Sequence, residues 1–401
     1  MKQPSVDTPV RRWFSLLRSA LRPLRSNVDL ATRSLLHDKL RFFITVSGVA
    51  FAVTLVFVQV GLFIGLMSNA SLTIDQIDAD LWVTSRNTPN VDFAHAFPET
   101  YIKRVRSIPG VARADNLIVW FMNVNLPTGA VEGTEVYALE DFSRWNFPRN
   151  VVDGNLADLR RGPYMVLDDS AKKRWGAFAV NDHREVLGRR LKIIGRTVDA
   201  KSFTTTPLTF MDYRLAQSLN EGELRGNTTY ILVKLAPNAD IEAVRNEVRR
   251  RLPYNDVFTR DEWARRSRSY WIDSTGLGLN MYITVFLGCL VGIVVVAQTL
   301  YTSTMEHIRE FGTVKAIGGG NGDIYRILGK QALIAAVAGF ALGALQAFAL
   351  RPLMAGIDLK LIIPMQLYVA VLLGAIALCL GAAVISFRKV ASIDPALVFR
   401  T

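Results

Sequence analysis

Cysteine is nearly absent: Cys289 and Cys379 are the only two in 401 residues. Both lie in apolar runs, so no disulfide framework staples a solvent-facing domain, and each is expected to pack as a small hydrophobe. The four histidines, His37, His95, His183 and His307, are scattered without metal-ligand spacing, which argues against a shared zinc site. No G-x-x-x-x-G-K-[ST], G-x-S-x-G or H-E-x-x-H motif occurs. An enzymatic role for this chain alone is therefore not expected, and no cofactor is.

Charge is missing from four stretches, 42–67, 274–305, 331–350 and 361–387, each at least 20 residues long. A helix of about 20 apolar residues crosses the hydrocarbon core of a bilayer. The expectation is four transmembrane helices over 42–67, 277–305, 331–350 and 361–387. No Asp, Glu, Lys or Arg interrupts them, which argues against an ion-coupled carrier or proton pump, since those hold their ions on such groups. Gln59, Gln298 and Gln346 are the notable polar residues inside, and interhelical hydrogen bonding is the role expected of them.

The charge that is present is uneven. The formal net charge is +12, but residues 1–41 hold nine Lys/Arg against three acids, while 68–276 hold 29 against 27. Half of the surplus is thus a basic segment before the first span, which argues against a nucleic-acid-binding face. Basic residues beside span ends stay cytoplasmic, so both termini are expected inside, with Arg388 and Lys389 of the 388–401 tail in agreement. Arg351 and Lys360, in the expected outer turn 351–360, run against this bias but are fewer. The first span starts too late and runs too long for a cleaved signal. Within 1–41, NVDLATRSLLHDKLR (27–41) has apolar residues at helical spacing beside basic ones. It reads as an amphipathic surface helix carrying Arg33, Leu35, Leu36, Lys39 and Arg41.

The long segment 68–276 contains a weak internal repeat. Its first copy is DLWVTS followed by FPETYIKRVRSIPGVARADNLIVWF, in which Tyr101, Val105 and Ile108 line one helix face and Pro109-Gly110 ends it. Its second copy is TTYILVKLAPNADIEAVRNEVRRRLPYNDVF, with Ile241, Val244, Val248 and Leu252 at helical spacing. Two strand–helix–strand units, about 80–125 and 228–262, predict one split α+β domain. The insertion between them, 126–227, is expected to be a mostly β subdomain at the far end.

The loop 306–330 contains EFGTVKAIGGGNGDIYR, with five glycines between Gly312 and Gly322. Such clusters can cradle phosphate, but here Asp323 follows where Lys-Ser/Thr is needed, and a membrane helix precedes instead of a strand. The expectation is mechanical: the second span continues past the membrane to about Ile317, Gly318-Gly319-Gly320 breaks it, and Asn321 or Asp323 caps a helix leading into the third span. This makes a cytoplasmic elbow suited to docking on a soluble partner.

MEHIREFGTVKAIGGGNGDIYRIL resembles the signature of the FtsX/MacB permease superfamily of ABC transporters, in which E-x-G-x-x-[KR]-A-x-G follows the second span; Glu310, Gly312, Lys315, Ala316 and Gly318 match. The C-terminal SIDPALVFR, with Asp394-Pro395 and Ala396, is similar to the family's usual ending. SGVAFAVTLVFVQVGL and DADLWV are most similar to the DevC branch, known for heterocyst glycolipid export. Gly319-Gly320-Asn321-Gly322 departs from the bulkier residues relatives often carry. The fold class implied is membrane α-helical, with four transmembrane helices and a large α+β extracytoplasmic domain inserted between helices 1 and 2. The resemblance also implies a bacterial inner-membrane location and a dimer with itself or a paralogous permease. With 41 residues before the first span, the cytoplasmic ABC ATPase is expected to be a separate chain. It would push on the elbow at Asp323, Ile324, Tyr325, Arg326 and Ile327 and on the surface helix. A periplasmic adaptor and an outer-membrane channel are further implied partners, the adaptor meeting 126–227. The functions implied are tripartite export of a lipid or amphipathic substrate or, alternatively, FtsX-like regulation of cell-wall hydrolysis or lipoprotein release.

Overall fold

The computed structural model describes residues 39–200, 202–203, 206–306, 320–357 and 359–391. The chain divides into two compact units, one built from residues 66–279 and the other from the flanking segments up to 65 and from 280 onward.

In the outer unit a helix α2 (Leu72–Gln76) is followed by β1 (Leu81–Ser85), β2 (Phe97–Pro98), α3 (Ile102–Arg106) and a long β3 (Val111–Asn125). Then come β4 (Val131–Leu139), β5 (Val151–Asp153), β6 (Tyr164–Asp168), α4 (Lys172–Trp175), β7 (His183–Val186), β8 (Arg189–Thr197) and β9 (Leu208–Asp212). The unit closes with α5 (Tyr213–Leu219), α6 (Glu221–Leu224), β10 (Asn227–Thr228), β11 (Tyr230–Leu235), α7 (Ile241–Arg251), β12 (Asn255–Thr259) and α8 (Arg260–Asp273). The two repeat copies interleave as β12-β1-β11-β3, all antiparallel. Taking these strands in chain order, this is the 4-1-3-2 arrangement of a split β-α-β fold. The first-copy helix is short, with one 3-10 turn over Glu99–Tyr101 before α3, yet Val105 and Ile108 are buried as the spacing predicts. In α7 the Asp240 carboxylate caps the N–H groups of Glu242 and Ala243, and Val244, Val248 and Leu252 pack with Leu81, Val83 and Val257.

The insertion is strand-rich and continues the sheet of the repeat. β3 outruns its repeat partner and pairs β4 from Leu117 to Asn125; the sheet then continues β4-β9-β6-β8-β5, through parallel β4–β9 and β6–β8 pairings. Ten strands share one sheet. One face carries a single core in which Val166, Leu208 and Phe210 of the insertion join Trp82, Tyr230 and Trp263 of the repeat. β3 is long enough to belong to both halves, and on the other face Met165, Trp175, Ile193 and Met211 of the insertion form a second core with Ile118 and Met122 of β3.

α8 covers that face. A capping box between Thr259 and Glu262 starts it, and Trp263, Ser267 and Trp271, four residues apart, form its buried stripe.

The helical unit contains α1 (Lys39–Asn69), α9 (Leu277–Glu306), α10 (Asn321–Gly356) and α11 (Met365–Ala391). All four are long and apolar enough to cross a membrane. Large side chains such as Phe43, Phe286 and Leu373 stay exposed, as expected of a lipid-facing surface, while Val49, Val53, Phe57, Val296 and a run of alanines on α10 and α11 form the interior. The third helix outlasts its expected end at 350 and stops at Gly356, with Pro352 inside its last turns. A charge did not end it because the long Arg351 side chain lies over the Phe348 ring while the backbone stays helical.

Candidate coupling site

One end of the helical unit brings together the start of α1, the end of α9 and the start of α10. Arg41 forms an ion pair with Glu306, tying the first turn of α1 to the last residue of α9. The Arg41 side chain is about one-quarter exposed and Glu306 about half. The Thr45 hydroxyl donates to the Arg41 carbonyl, 2.9 Å away. Lys39 is exposed at the helix start. The rest of the expected surface helix, Arg33, Leu35 and Leu36 included, lies outside the described residues, as do Glu310, Gly312, Lys315, Ala316 and Gly318.

Gly320 precedes the helix and α10 begins at Asn321, so the backbone of Asp323 lies in its first turn. The residues that follow divide by helical period. Ile324 and Leu328 are each 3% exposed and continue inward as Gln331, Ala332 and Ala335. Tyr325 and Arg326 face outward, and Ile327 is half-buried. Ile324 was expected on the contact surface; it sits instead on the packing face, because a 3.6-residue turn places it in line with Leu328 and Gln331. The outward surface here is Tyr325 and Arg326.

The outer unit has a matching junction where its chain enters and leaves. Arg268 on α8 donates to the Ser71 hydroxyl at 2.5 Å and lies 3.8 Å from Asp75; Ser71 also donates to Asp75 at 2.8 Å. These contacts tie the segment following α1 to the helix preceding α9. Beside them Lys234 bridges Asp78 at 2.7 Å and Asp80 at 3.2 Å. The hydrogen bond from Lys234 holds the Asp78 carboxyl below its usual range. For Lys234 itself burial pulls its pKa down, but the bonds to Asp78 and Asp80 outweigh it and the net direction is up. Sequence reasoning missed both junctions. Their only signal was that Arg41 and Glu306 are the first charges beyond their apolar runs.

Among the described residues no group of three or more His, Cys, Asp or Glu could hold a metal. The start of α10 thus has an outward surface, and its apolar face packs against the other helices.

Two family models match the chain, a MacB-like periplasmic core domain over residues 42–251 and an FtsX-like permease C-terminal domain over 282–395. An uncharacterized ABC transporter permease of Mycobacterium tuberculosis is 26% identical over 377 residues, covering 92% of this chain and 98% of its own length. An uncharacterized ABC transporter permease of Mycobacterium bovis is 25% identical over 383 residues, with the same coverage. Among solved structures, the extracellular domain of the noncanonic ABC-type transporter YknZ from Gram-positive bacteria aligns with TM-score 0.35 and 13% identity, over 45% of this chain and 98% of that one. The periplasmic region of MacB from Actinobacillus actinomycetemcomitans aligns with TM-score 0.36 and 12% identity, over 47% and 92%.

Proposed function

The chain belongs to the FtsX/MacB family of ABC transporter permeases, and on that premise we propose that it is the membrane subunit of an exporter driven by a separate cytoplasmic ATPase. The observation that carries this reading is the split of α10: Tyr325 and Arg326 face outward at its start, while Ile324 and Leu328 point inward and Ala332 and Ala336 join the core shared by the other spans. A push on the outward surface is then delivered through a rigid helix into packed side chains. The elbow 306–330 and the 27–41 segment are the cytoplasmic contacts, both termini are inside, and two copies, or one copy and a paralogue, complete the permease.

Substrate is handled on the outer side and is lipid or amphipathic, in keeping with four uncharged apolar runs and with the DevC-like first-span region. A periplasmic adaptor meets the 126–227 strands and leads to an outer-membrane channel.

Reconstitution with the cognate ATPase tests the reading. The chain alone hydrolyses no ATP. Arg326→Glu and Tyr325→Ala each reduce ATPase capture at least about fivefold, roughly 1 kcal/mol, with thermal stability unchanged. Ile324→Glu lowers thermal stability as well, because it places a charge among buried side chains. Normal capture by both surface variants rejects the coupling surface.

A further inference from the structure

Two carboxyls lie buried against each other in the outer unit. Glu135 sits on β4, on the face shared by Tyr137 and Leu139, between Phe121 of β3 and Leu208 of β9. Asp92 belongs to the irregular segment 86–96. Glu135 is 0% and Asp92 4% exposed, and Asp92 Oδ2 and both Glu135 oxygens are enclosed. The groups that face them are neutral: the hydroxyls of Ser202 and Tyr137 beside Glu135, and the Trp271 indole beside Asp92. Tyr230, from β11, donates its hydroxyl to the carbonyls of Asn90 and Val91. From α8, Arg266 is engaged with the Thr88 carbonyl and the Phe258 ring. The largest influences on both carboxyls are burial, the other carboxyl and these neutral groups.

Two adjacent carboxylates in such a place cannot both be charged, because burial disfavours each charge and each disfavours the other. Burial pushes Asp92 up to about 6, and burial together with the Asp92 charge pushes Glu135 well above the carboxylate range. The pair titrates as a unit and not as two independent acids. Tyr137 and Tyr230 are driven up by the same burial, so they stay neutral.

The segment carrying Asp92 is fastened to α8. Val91 N–H donates to Ser267 Oγ at 3.0 Å, and the Phe93 ring lies 6.0 Å from Tyr270 and 5.8 Å from Trp271. α8 ends at Asp273 and α9 begins at Leu277, so the pair adds, through one irregular segment, a second link between the sheet and α8, beside the direct packing of Trp263 on the sheet.

We propose that Asp92 and Glu135 form a buried proton-binding site, in which one shared proton fastens segment 86–96, and with it α8, to the sheet. When that proton leaves to solvent as pH rises, two like charges face each other and the fastening loosens. The site stands without the permease reading; only a consequence for transport rests on that reading.

Hydrogen exchange of the full chain in lipid nanodiscs, at about pH 6 and about pH 8.5 and corrected for intrinsic rates, tests it. In the native chain, protection of peptides spanning 86–96 and 260–273 falls at least about tenfold at the higher pH. In Glu135→Gln protection stays flat, because the amide donates to Asp92 without a titrating proton. Asp92→Asn behaves alike and serves if Glu135→Gln fails to fold. Infrared difference spectra give an independent readout: the native chain shows a protonated-carboxyl band at neutral pH that Glu135→Gln removes. A pH-independent native chain, an unchanged pH dependence in both variants, or no such band overturns the proposal. Defective ATPase capture with these results intact would fault the permease reading alone.

Discussion

Gly339 and Gly343 on α10 let the third span approach the first more closely than any other residue allows. A Cβ at Gly343 falls 2.7 Å from Val53 Cγ1 and 2.8 Å from the Ala50 carbonyl oxygen; at Gly339 it falls 2.5 Å from Val49 Cβ. Ordinary contact starts at 3.4 Å, so the obstacle at Gly343 includes backbone that a rotamer change cannot clear. α1 and α10 must part by roughly 0.6 Å for Gly343→Ala, and overpacking of this kind costs about 1–3 kcal/mol. The same displacement stretches the polar contact at mid-span, where Thr54 Oγ1 lies 2.7 Å from Gln346 Oε1 and 3.2 Å from the Gly343 carbonyl. Alanine also raises helix propensity by up to about 1 kcal/mol over glycine, which would mask part of the loss. Gly381 on α11 is the control, since a Cβ there meets nothing within 4 Å. The two alanine variants share the propensity gain, and their difference isolates packing. Equilibrium unfolding in mixed micelles is expected to place Gly343→Ala about 1–3 kcal/mol below Gly381→Ala. Equal stability, or the reverse order, refutes the close approach of these helices.

The Arg41–Glu306 pair is partly exposed, so it is worth at most about 1 kcal/mol. Arg41→Glu and Glu306→Arg each lower stability by about that amount, and the double swap restores at least about half, as read from a double-mutant cycle. Within the Asp78–Lys234 pair, Asp78 gives a pH dependence opposite in sense to that of Asp92 and Glu135. The folded pKa of Asp78 is depressed, so its contribution is present above the ordinary aspartate range and is lost as pH falls through the folded value. The folded pKa of Lys234 is raised, so its contribution is present below the ordinary lysine range and is lost as pH rises through the folded value. Lys234→Met therefore flattens the acid limb of a stability profile by less than about 1 kcal/mol, given the exposure of both groups.

The membrane spans were legible because lipid tolerates no unpaired backbone and few charges, so a spanning helix must be written as an uninterrupted apolar run. The end of α10 misled, since Arg351 and Pro352 look like a stop signal while one lost hydrogen bond near a helix terminus is tolerated, and the fourth helix starts at Met365, four residues after the start of its uncharged run. The repeat helices were legible through Val105 and Ile108 and through Val244, Val248 and Leu252, whose period is local. The union of the insertion with the repeat was not, because parallel pairings such as β4–β9 join strands distant in the chain, and no local pattern states which strands will meet.

The facing of Ile324 was recoverable. Aligning it with Leu328 and Ala332 on a helical wheel turns it inward and leaves Tyr325 and Arg326 outward; a motif matched as a continuous string hides that division. Glu135 left a subtler mark. In TEVYALE the residues on one face of the strand are Glu135, Tyr137 and Leu139, and a glutamate in an otherwise apolar half-period conflicts with the core face it must occupy. Such local conflict is expected where a fold accepts a cost for a function. What the sequence could not name was the group that makes the glutamate tolerable. Asp92 reaches it only after the irregular segment folds back under α8, and an acid is the partner that permits burial only by keeping a proton.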